Sequence, residues 1–220
     1  MRKILMEHGI PGPTKERLLR LMRILEKTGG APVTSAQVEM MTGWPSHTIR
    51  KDISCLGADE PGHAVGSSHG YAPEILIPAI KKALGLDRRR RFCVAGLGRL
   101  GSAYLNVGSF EFGPAGQGEF ELAAGFDINV NRVEILKSPV PLYPAYKMGE
   151  VIRRFSIEMA LLCVPGEAAQ GAAEKLAAAG IRGIVNFAPV ILQMPPETAV
   201  RNVYVVDELR ELAINIRSDH

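Results

Sequence analysis

Cysteine, histidine and long apolar runs are scarce in this sequence, and each scarcity excludes something. The 220 residues hold three cysteines, Cys55, Cys93 and Cys163, far apart and never as CxxC. A disulfide framework is excluded and a zinc site is not expected; isolated buried thiols in a reducing compartment are. No uninterrupted apolar run reaches the length of a bilayer span, so no transmembrane helix is expected. The charged residues at the N-terminus are not followed by an apolar stretch, so no signal peptide is expected either, and the cytoplasm is the expected location. Four of the five histidines, His8, His47, His63 and His69, lie in the first third, and the fifth is His220. The rest of the chain therefore has little with which to move a proton: Lys137, Lys147, Tyr143 and Tyr146 remain, none in a diagnostic setting. No catalytic residue is assigned, and an enzyme is not expected.

What is present is ample core material, 46% apolar residues, and an uneven charge. Residues 1–91 carry 15 Lys/Arg against 9 Asp/Glu, whereas residues 92–220 carry 11 against 14. A basic front and an acidic back suggest two units with different partners, the first suited to a polyanion.

Residues 1–13 read as an irregular arm. Leu18, Leu21, Met22 and Leu25 recur at helical spacing and predict a helix over 15–28, with Thr14 as its cap. Thr34 or Ser35 can cap a short helix through Met41. Thr42-Gly43-Trp44-Pro45 breaks the chain, and Ser46 can cap a third helix with Ile49, Ile53 and Leu56 inward and His47, Arg50 and Lys51 outward. Two short helices on a glycine turn, the second basic outside, fit a helix-turn-helix that docks in a major groove; a small bundle with a solvated charged face fits too. Residues 57–72 are rich in Gly, Ser, His and Asp and read as a wing hairpin or a long loop. Pro73 opens a helix ending at Gly85, with Pro78 predicting a kink or break. Arg88–Arg91 is either a DNA contact or a solvated boundary.

Phe92-Cys93-Val94-Ala95 reads as a short buried strand, followed at once by Gly96-Leu97-Gly98-Arg99-Leu100-Gly101 and an apolar helix through Ala103, Tyr104 and Val107. This is GxGxxG in the strand–turn–helix setting that a dinucleotide pyrophosphate requires. A second strand, Phe120–Phe126, ends at Asp127. An acid there can bond the adenosine ribose and repel a 2′-phosphate, which favours NAD; the plainer reading is a turn residue. Its distance from the glycines fits an inserted loop, Gly113–Gly118. Strands are then expected at 139–142, 159–164, 182–187 and 200–206, and helices at 148–155, 167–179 and 208–216. Alternation of this kind predicts a doubly wound parallel α/β sheet. The loops Cys163–Glu167 and Asn186–Pro189 fall at strand ends, where ligands sit, and a nicotinamide contact or a structural turn both fit them.

Beyond these local features, the whole order resembles the Rex family of redox-sensing transcriptional repressors. The resemblance rests on Ile10-Pro11…Thr14…Arg17-Leu18, Val33-Thr34-Ser35, Arg50-Lys51-Asp52-Ile53-Ser54, Gly70-Tyr71 and Gly85-Leu86-Asp87. It continues through the glycine turn, Phe126-Asp127, Val164-Pro165…Ala168-Ala169-Gln170, Asn186-Phe187-Ala188-Pro189-Val190 and Val200-Arg201-Asn202-Val203. It implies a winged-helix DNA-binding domain at 1–86, a Rossmann NAD(H)-binding domain at 87–206, and a C-terminal helix at 207–220 that packs against a partner subunit. It further implies a homodimer on a palindromic operator, with NADH favouring release and NAD⁺ the DNA-competent form. Carried over by position, Arg50 and Lys51 contact DNA, with Ser46, His47 and Thr48 beside the groove. Gly96, Gly98, Leu100, Gly101, Asp127, Val164, Pro165, Asn186, Phe187 and Ala188 line the cofactor site. Arg17 is the interdomain arginine of the switch.

Four departures stand out. The wing stretch, Leu56–His63, is long and acidic. Arg99 stands where asparagine is common in the glycine turn and could reach the pyrophosphate. Val107 and Tyr204 replace the tyrosine and aspartate of the family's redox relay. These departures keep open a divergent paralogue with altered redox or DNA response, and behind it an NAD-dependent oxidoreductase.

Overall fold

The computed structural model describes residues 10–56, 70–111 and 118–216, with the backbone alone at 107–111. The expected wing and the inserted loop fall almost entirely outside the described residues, as does the side chain of Val107. The chain divides into two compact units, residues 1–88 and 89–220.

The first unit is helical. Helix α1 (Gly12–Glu26) buries Leu18, Leu21, Met22 and Leu25, the expected stripe. It begins three residues earlier than expected because Pro11 and Pro13 start it; proline is tolerated in a first turn, where amides have no intrahelical partner. Thr14 is thus inside the helix rather than capping it. Helix α2 (Ser35–Thr42) is held at its start by a capping box. The Gln37 amide donates to Thr34 Oγ1 at 3.2 Å, and the Thr34 amide donates to Gln37 Oε1 at 2.8 Å. Gly43, at φ +72°, ends α2 in a conformation that disfavours residues with a Cβ, and Pro45 opens helix α3 (Ser46–Ser54). Helix α4 (Pro73–Leu84) runs unbroken through Pro78. The four helices share one core, including Val38, Ile49, Ile53, Leu76 and Ile80, with Trp44 against its edge.

A buried charge pins α3 to α1. Asp52 is 4% exposed. Arg17 donates to both of its carboxylate oxygens, from Nε at 2.5 Å and Nη2 at 2.8 Å, and the Thr14 hydroxyl donates to Oδ1 at 3.0 Å. The paired carboxylate holds the Arg17 guanidinium above its ordinary pKa. Arg17, expected between domains, bonds to α3 of its own unit, with its side chain 27% exposed.

The second unit is a six-stranded, wholly parallel sheet in the order β3-β2-β1-β4-β5-β6. Its strands are β1 (Arg90–Ala95), β2 (Phe120–Asp127), β3 (Leu142–Pro144), β4 (Met159–Leu162), β5 (Gly183–Asn186) and β6 (Ala199–Asn202). The helices are α5 (Arg99–Glu111), α6 (Val130–Ile135), α7 (Met148–Phe155), α8 (Gly166–Ala179) and α9 (Val205–Ile216). Both faces of the sheet are buried: Cys93 and Ala95 enter one core with Phe126, Ile152, Leu162 and Leu176, while Val94 enters another with Leu97 and Leu105. A strand covered twice needs apolar residues on both sides, which is why β1 reads as a continuous apolar run.

Three expectations shift. The crossover strand lies at 142–144 rather than 139–142, and α6 is an element the sequence does not predict. The strand expected over 200–206 ends at Asn202, and α9 begins at Val205. β-Branched Val205 and Val206 suggest strand, but the Asp207 amide donates to the Tyr204 carbonyl at 2.9 Å and turns the chain into helix. Along α9 every residue is exposed, including Val205, Leu209, Leu212 and Ile216 on one stripe. The arginine run belongs to the sheet's base. Arg89 and Arg91 face Glu121 at 3.6 and 3.1 Å, and Arg90 meets Glu158 at 2.9 Å, which favours the boundary reading. Among the described residues no helix is long and apolar enough to cross a membrane.

Removing Asp52 leaves the partly exposed Arg17 and the buried Thr14 hydroxyl without their acceptor, at a cost of about 1–3 kcal/mol. Asp52→Ala is expected to destabilise the first unit by about that much in urea unfolding. Trp44, the chain's single tryptophan, reports it by fluorescence. An unchanged urea midpoint overturns the role given to Asp52.

Candidate nucleotide and nucleic-acid sites

The strand order reverses between β1 and β4, since β2 and β3 lie to one side of β1 and β4, β5 and β6 to the other. At such a switch point, loops from neighbouring strands part and leave a crevice at the carboxyl ends. A cavity of about 1320 Å³ opens there, lined among others by Gly96, Gly98, Leu100, Asp127, Arg132, Val164, Pro165 and Phe187.

The three glycines do different work. Gly96 takes φ +92° and its amide donates to the Phe126 carbonyl at 2.8 Å; a Cβ there would lie 2.6 Å from the Cys163 carbonyl oxygen. At Gly101 a Cβ would come within 1.8 Å of the Gly96 carbonyl oxygen, so its hydrogen permits the helix to start against the turn. At Gly98 a Cβ would meet nothing within 4 Å among the described residues. The protein itself does not need glycine there; a ligand close to the backbone would. The amides opening α5 stand beside it, a setting that favours phosphate.

Asp127 ends β2 with its side chain 3% exposed. Its Oδ2 accepts from the Leu97 amide at 2.7 Å and from Arg132 Nη1 at 2.9 Å, and its Oδ1 accepts from the Asn129 amide at 2.8 Å. Burial pushes its pKa up, but the bonds from Asn129, Leu97 and Arg132 outweigh it and hold the acid below its ordinary value. Asp127 thus holds the turn that follows it and also lines the cavity. Arg132 escapes sequence reasoning because it sits on α6. The available signal is Asn129, whose side chain accepts from the Arg132 amide at 3.2 Å and caps that helix.

The remaining expected residues divide. Val164, Pro165, Leu100 and Phe187 line the cavity, and the Phe187 ring lies 5.1 Å from that of Tyr104. Arg99, Gly101, Asn186 and Ala188 do not line it. Asn186 is fully buried and pins its own loop: Nδ2 donates to the Val190 carbonyl at 2.8 Å and to Asn202 Oδ1 at 3.0 Å, and Oδ1 accepts from the Ala188 amide at 3.0 Å. Burial pushes the thiol of Cys93 up to about 12, and partial burial in the cavity wall pushes that of Cys163 up to about 12 as well. Among the described residues no cluster of His, Cys, Asp and Glu is arranged for a metal.

In the first unit α3 exposes His47, Arg50 and Lys51 and buries Ile49, Asp52 and Ile53. Thr48 is half-buried. Ser46 does not cap α3; Pro45 holds that position. The Ser46 amide donates to Glu39 Oε2 at 3.2 Å, and its hydroxyl donates to the same oxygen. That hydroxyl is the main cause of the lowered pKa of Glu39. The start of α3, expected beside the groove, thus carries an acid from α2.

Comparison with known proteins matches the model of the CoA binding domain over residues 87–190. The redox-sensing transcriptional repressor Rex of Levilactobacillus brevis is 33% identical over 210 residues, covering 94% of each chain. That of Thermus thermophilus is 36% identical over 216 residues, again with 94% of each chain covered. The chain belongs to the Rex family of redox-sensing transcriptional repressors. Among solved structures it is similar to RSP, a Rex-family repressor. RSP in complex with NAD⁺ and operator DNA has a TM-score of 0.80 at 28% identity, covering 96% of this chain and 94% of that one. RSP in complex with NADH has a TM-score of 0.78 at 28% identity, covering 96% and 95%.

The glycines make a paired test. Gly98→Ala is expected to leave thermal unfolding within about 1 °C of the parent, since the added methyl meets nothing, yet to weaken dinucleotide binding at least about tenfold. Gly101→Ala is expected to unfold the second unit at lower temperature. Retention of full dinucleotide affinity by Gly98→Ala, measured by calorimetric titration, would remove the glycine turn from the site.

Proposed function

We propose that this protein is an NAD(H)-responsive DNA-binding repressor acting as a homodimer in the cytoplasm. The observation that carries the reading is the pairing, in one chain, of a helix exposing Arg50 and Lys51 with a switch-point cavity whose Gly98 has no packing reason to be glycine. Full-length similarity to a repressor bound to NAD⁺ and operator DNA supports it.

Each residue then has a task. Gly96 turns the chain, Gly98 admits the pyrophosphate, Gly101 seats α5, and Asp127 stands at the adenosine ribose. Val164, Pro165 and Phe187 supply apolar wall toward the nicotinamide. NAD(H) contributes its redox state; the protein contributes a site whose affinity differs between two dimer arrangements. Without that difference the cofactor would shift nothing. Arg50 and Lys51, with His47 and Thr48, face a major groove, while Ser46 buttresses their helix through Glu39. A palindromic operator matches a two-fold dimer. The exposed apolar stripe of α9 supports association, because a stripe of that kind is seldom left in water. No residue is assigned to catalysis.

A second reading, a paralogue with altered redox response, is favoured by one observation: Arg17 is held by Asp52, while Tyr204 stands in place of the redox relay's aspartate. One measurement separates the two. Duplexes selected from random DNA are titrated with protein saturated by NADH or by NAD⁺. A repressor of the first kind binds at least about tenfold tighter with NAD⁺; equal affinities leave only the second reading. Arg50→Ala is expected to weaken DNA binding at fixed salt by about tenfold or more while NADH affinity is unchanged. Unchanged DNA affinity overturns the assignment of α3.

A further inference from the structure

The loop after β5 is pinned along its backbone but not at its aromatic side chain. The Phe187 amide donates to the Leu162 carbonyl at 3.0 Å, and Asn186 ties the same loop to Ala188, Val190 and Asn202. Those bonds fix the Cα of Phe187, not its ring. The ring is half-buried and lines the cavity. Among the described residues its one aromatic neighbour is Tyr104, with ring centroids 5.1 Å apart and planes tilted by 37°. Tyr104 sits on α5, packs against the cluster of Val94, Leu97 and Leu105, and does not itself line the cavity. It therefore backs the Phe187 ring from the protein side. An aromatic pair of this kind is worth about two- to tenfold in an equilibrium, beyond the area it buries.

The wall that Phe187 joins is apolar. Val164 and Pro165, from the loop after the neighbouring strand, and Ala168 of α8 line the same cavity. Glu167, the acid of that stretch, is exposed, so water screens its charge. The two redox forms of a nicotinamide differ here by charge: the oxidised ring is a cation and the reduced ring is neutral. A dry apolar wall costs the cation its hydration and spares the neutral ring. A Phe187 ring free to turn would admit water and narrow that difference.

We propose that Tyr104 is a positioning residue for redox discrimination: by holding the Phe187 ring in the cavity wall, it favours the reduced, neutral nicotinamide over the oxidised cation. The proposal rests on the reading of the cavity as an NAD(H) site with the nicotinamide toward Phe187.

The test measures the Kd of NADH, of NAD⁺ and of ADP-ribose, which lacks the nicotinamide, by calorimetric titration. Tyr104→Leu and Tyr104→Met remove the ring but keep an apolar side chain against Val94, Leu97 and Leu105, and thermal unfolding identifies the variant that is folded. Either is expected to narrow the NAD⁺-to-NADH ratio of Kd by about two- to tenfold, with ADP-ribose affinity unchanged within about twofold. Tyr104→Phe keeps the ring and is expected to keep the parent ratio. In a Phe187→Leu background, Tyr104→Leu is expected to change the ratio no further, because the two residues act as one unit. An unchanged or widened ratio overturns the proposal, as does a parent that binds both forms equally. Equal loss for all three ligands also overturns it, since Tyr104 then only steadies α5. So does a narrowing that persists in the Phe187→Leu background, or a Tyr104→Phe variant that behaves like Tyr104→Leu. A parent that binds neither NADH nor ADP-ribose overturns the NAD(H) reading along with it.

Discussion

The second unit depends on one carboxylate. Asp127 stands at the end of β2, takes an amide from the glycine turn after β1, an amide from the turn that follows it, and the guanidinium of α6. Those three pieces meet at one side of the crevice. A buried carboxylate is costly unless its oxygens are satisfied, and here the fold satisfies them by placing the turn where phosphate recognition needs it. The position of Leu97, and with it the course of the chain between Gly96 and Gly98, is set from β2 rather than from β1 alone. The same bonds that build the site occupy the group expected to read the ribose.

The first unit solves a similar problem. Asp52 lies on the inner side of α3, between Ile49 and Ile53, and Arg17 and Thr14 of α1 supply its donors. An apolar residue at 52 could pack the same helix, but it would not fix the rotation of α3 about its axis. A bidentate pair does. That rotation determines which way Arg50 and Lys51 face, so an ion pair on the inner side of α3 sets the direction of the basic face opposite it. Glu39 contributes from the other end by holding the first amide and hydroxyl of α3.

Much of this is legible in the sequence, and what is not has a physical reason. Helix α1, the glycine turn, β1, β4 and α7 follow from apolar periodicity and from glycines whose steric need is local. The cap at Thr34 is local too, and a cap at Thr34 or Ser35 is what the residues suggest. Helix α6 is different: six residues with none buried carry no apolar period. Since Arg132 rides on α6, a reading that misses the helix also misses the residue. Asn186 is illegible for another reason. Its motif marks a place near a ligand, but a residue type cannot reveal whether it faces the ligand or the loop; only its bonds to Val190, Asn202 and Ala188 decide that. Arg17 is hidden in the same way, its partner being 35 residues away on another helix.

A redox-sensing repressor needs its two units to influence each other, and the energetics limit how. Moving a dimer decisively between DNA-bound and free forms requires the cofactor to prefer one of them by about 5 kcal/mol. A single contact near the nicotinamide cannot supply that against a rigid background; it must tip an element whose alternatives are already close in energy. Neither carboxylate anchor is such an element. Asp52 and Asp127 are each held by several donors within their own unit, and breaking either costs too much to serve as the moving part. Helix α9 is the better candidate for that role. Its apolar stripe is exposed along its whole length, and its ion pair, Arg210 with Asp207, is internal to the helix. It follows β6 closely, and β6 ends at Asn202, the residue that binds Asn186 at the foot of the Phe187 loop. A displacement of that loop by a bound nicotinamide would reach the root of α9 through one hydrogen bond, while each unit keeps its anchor.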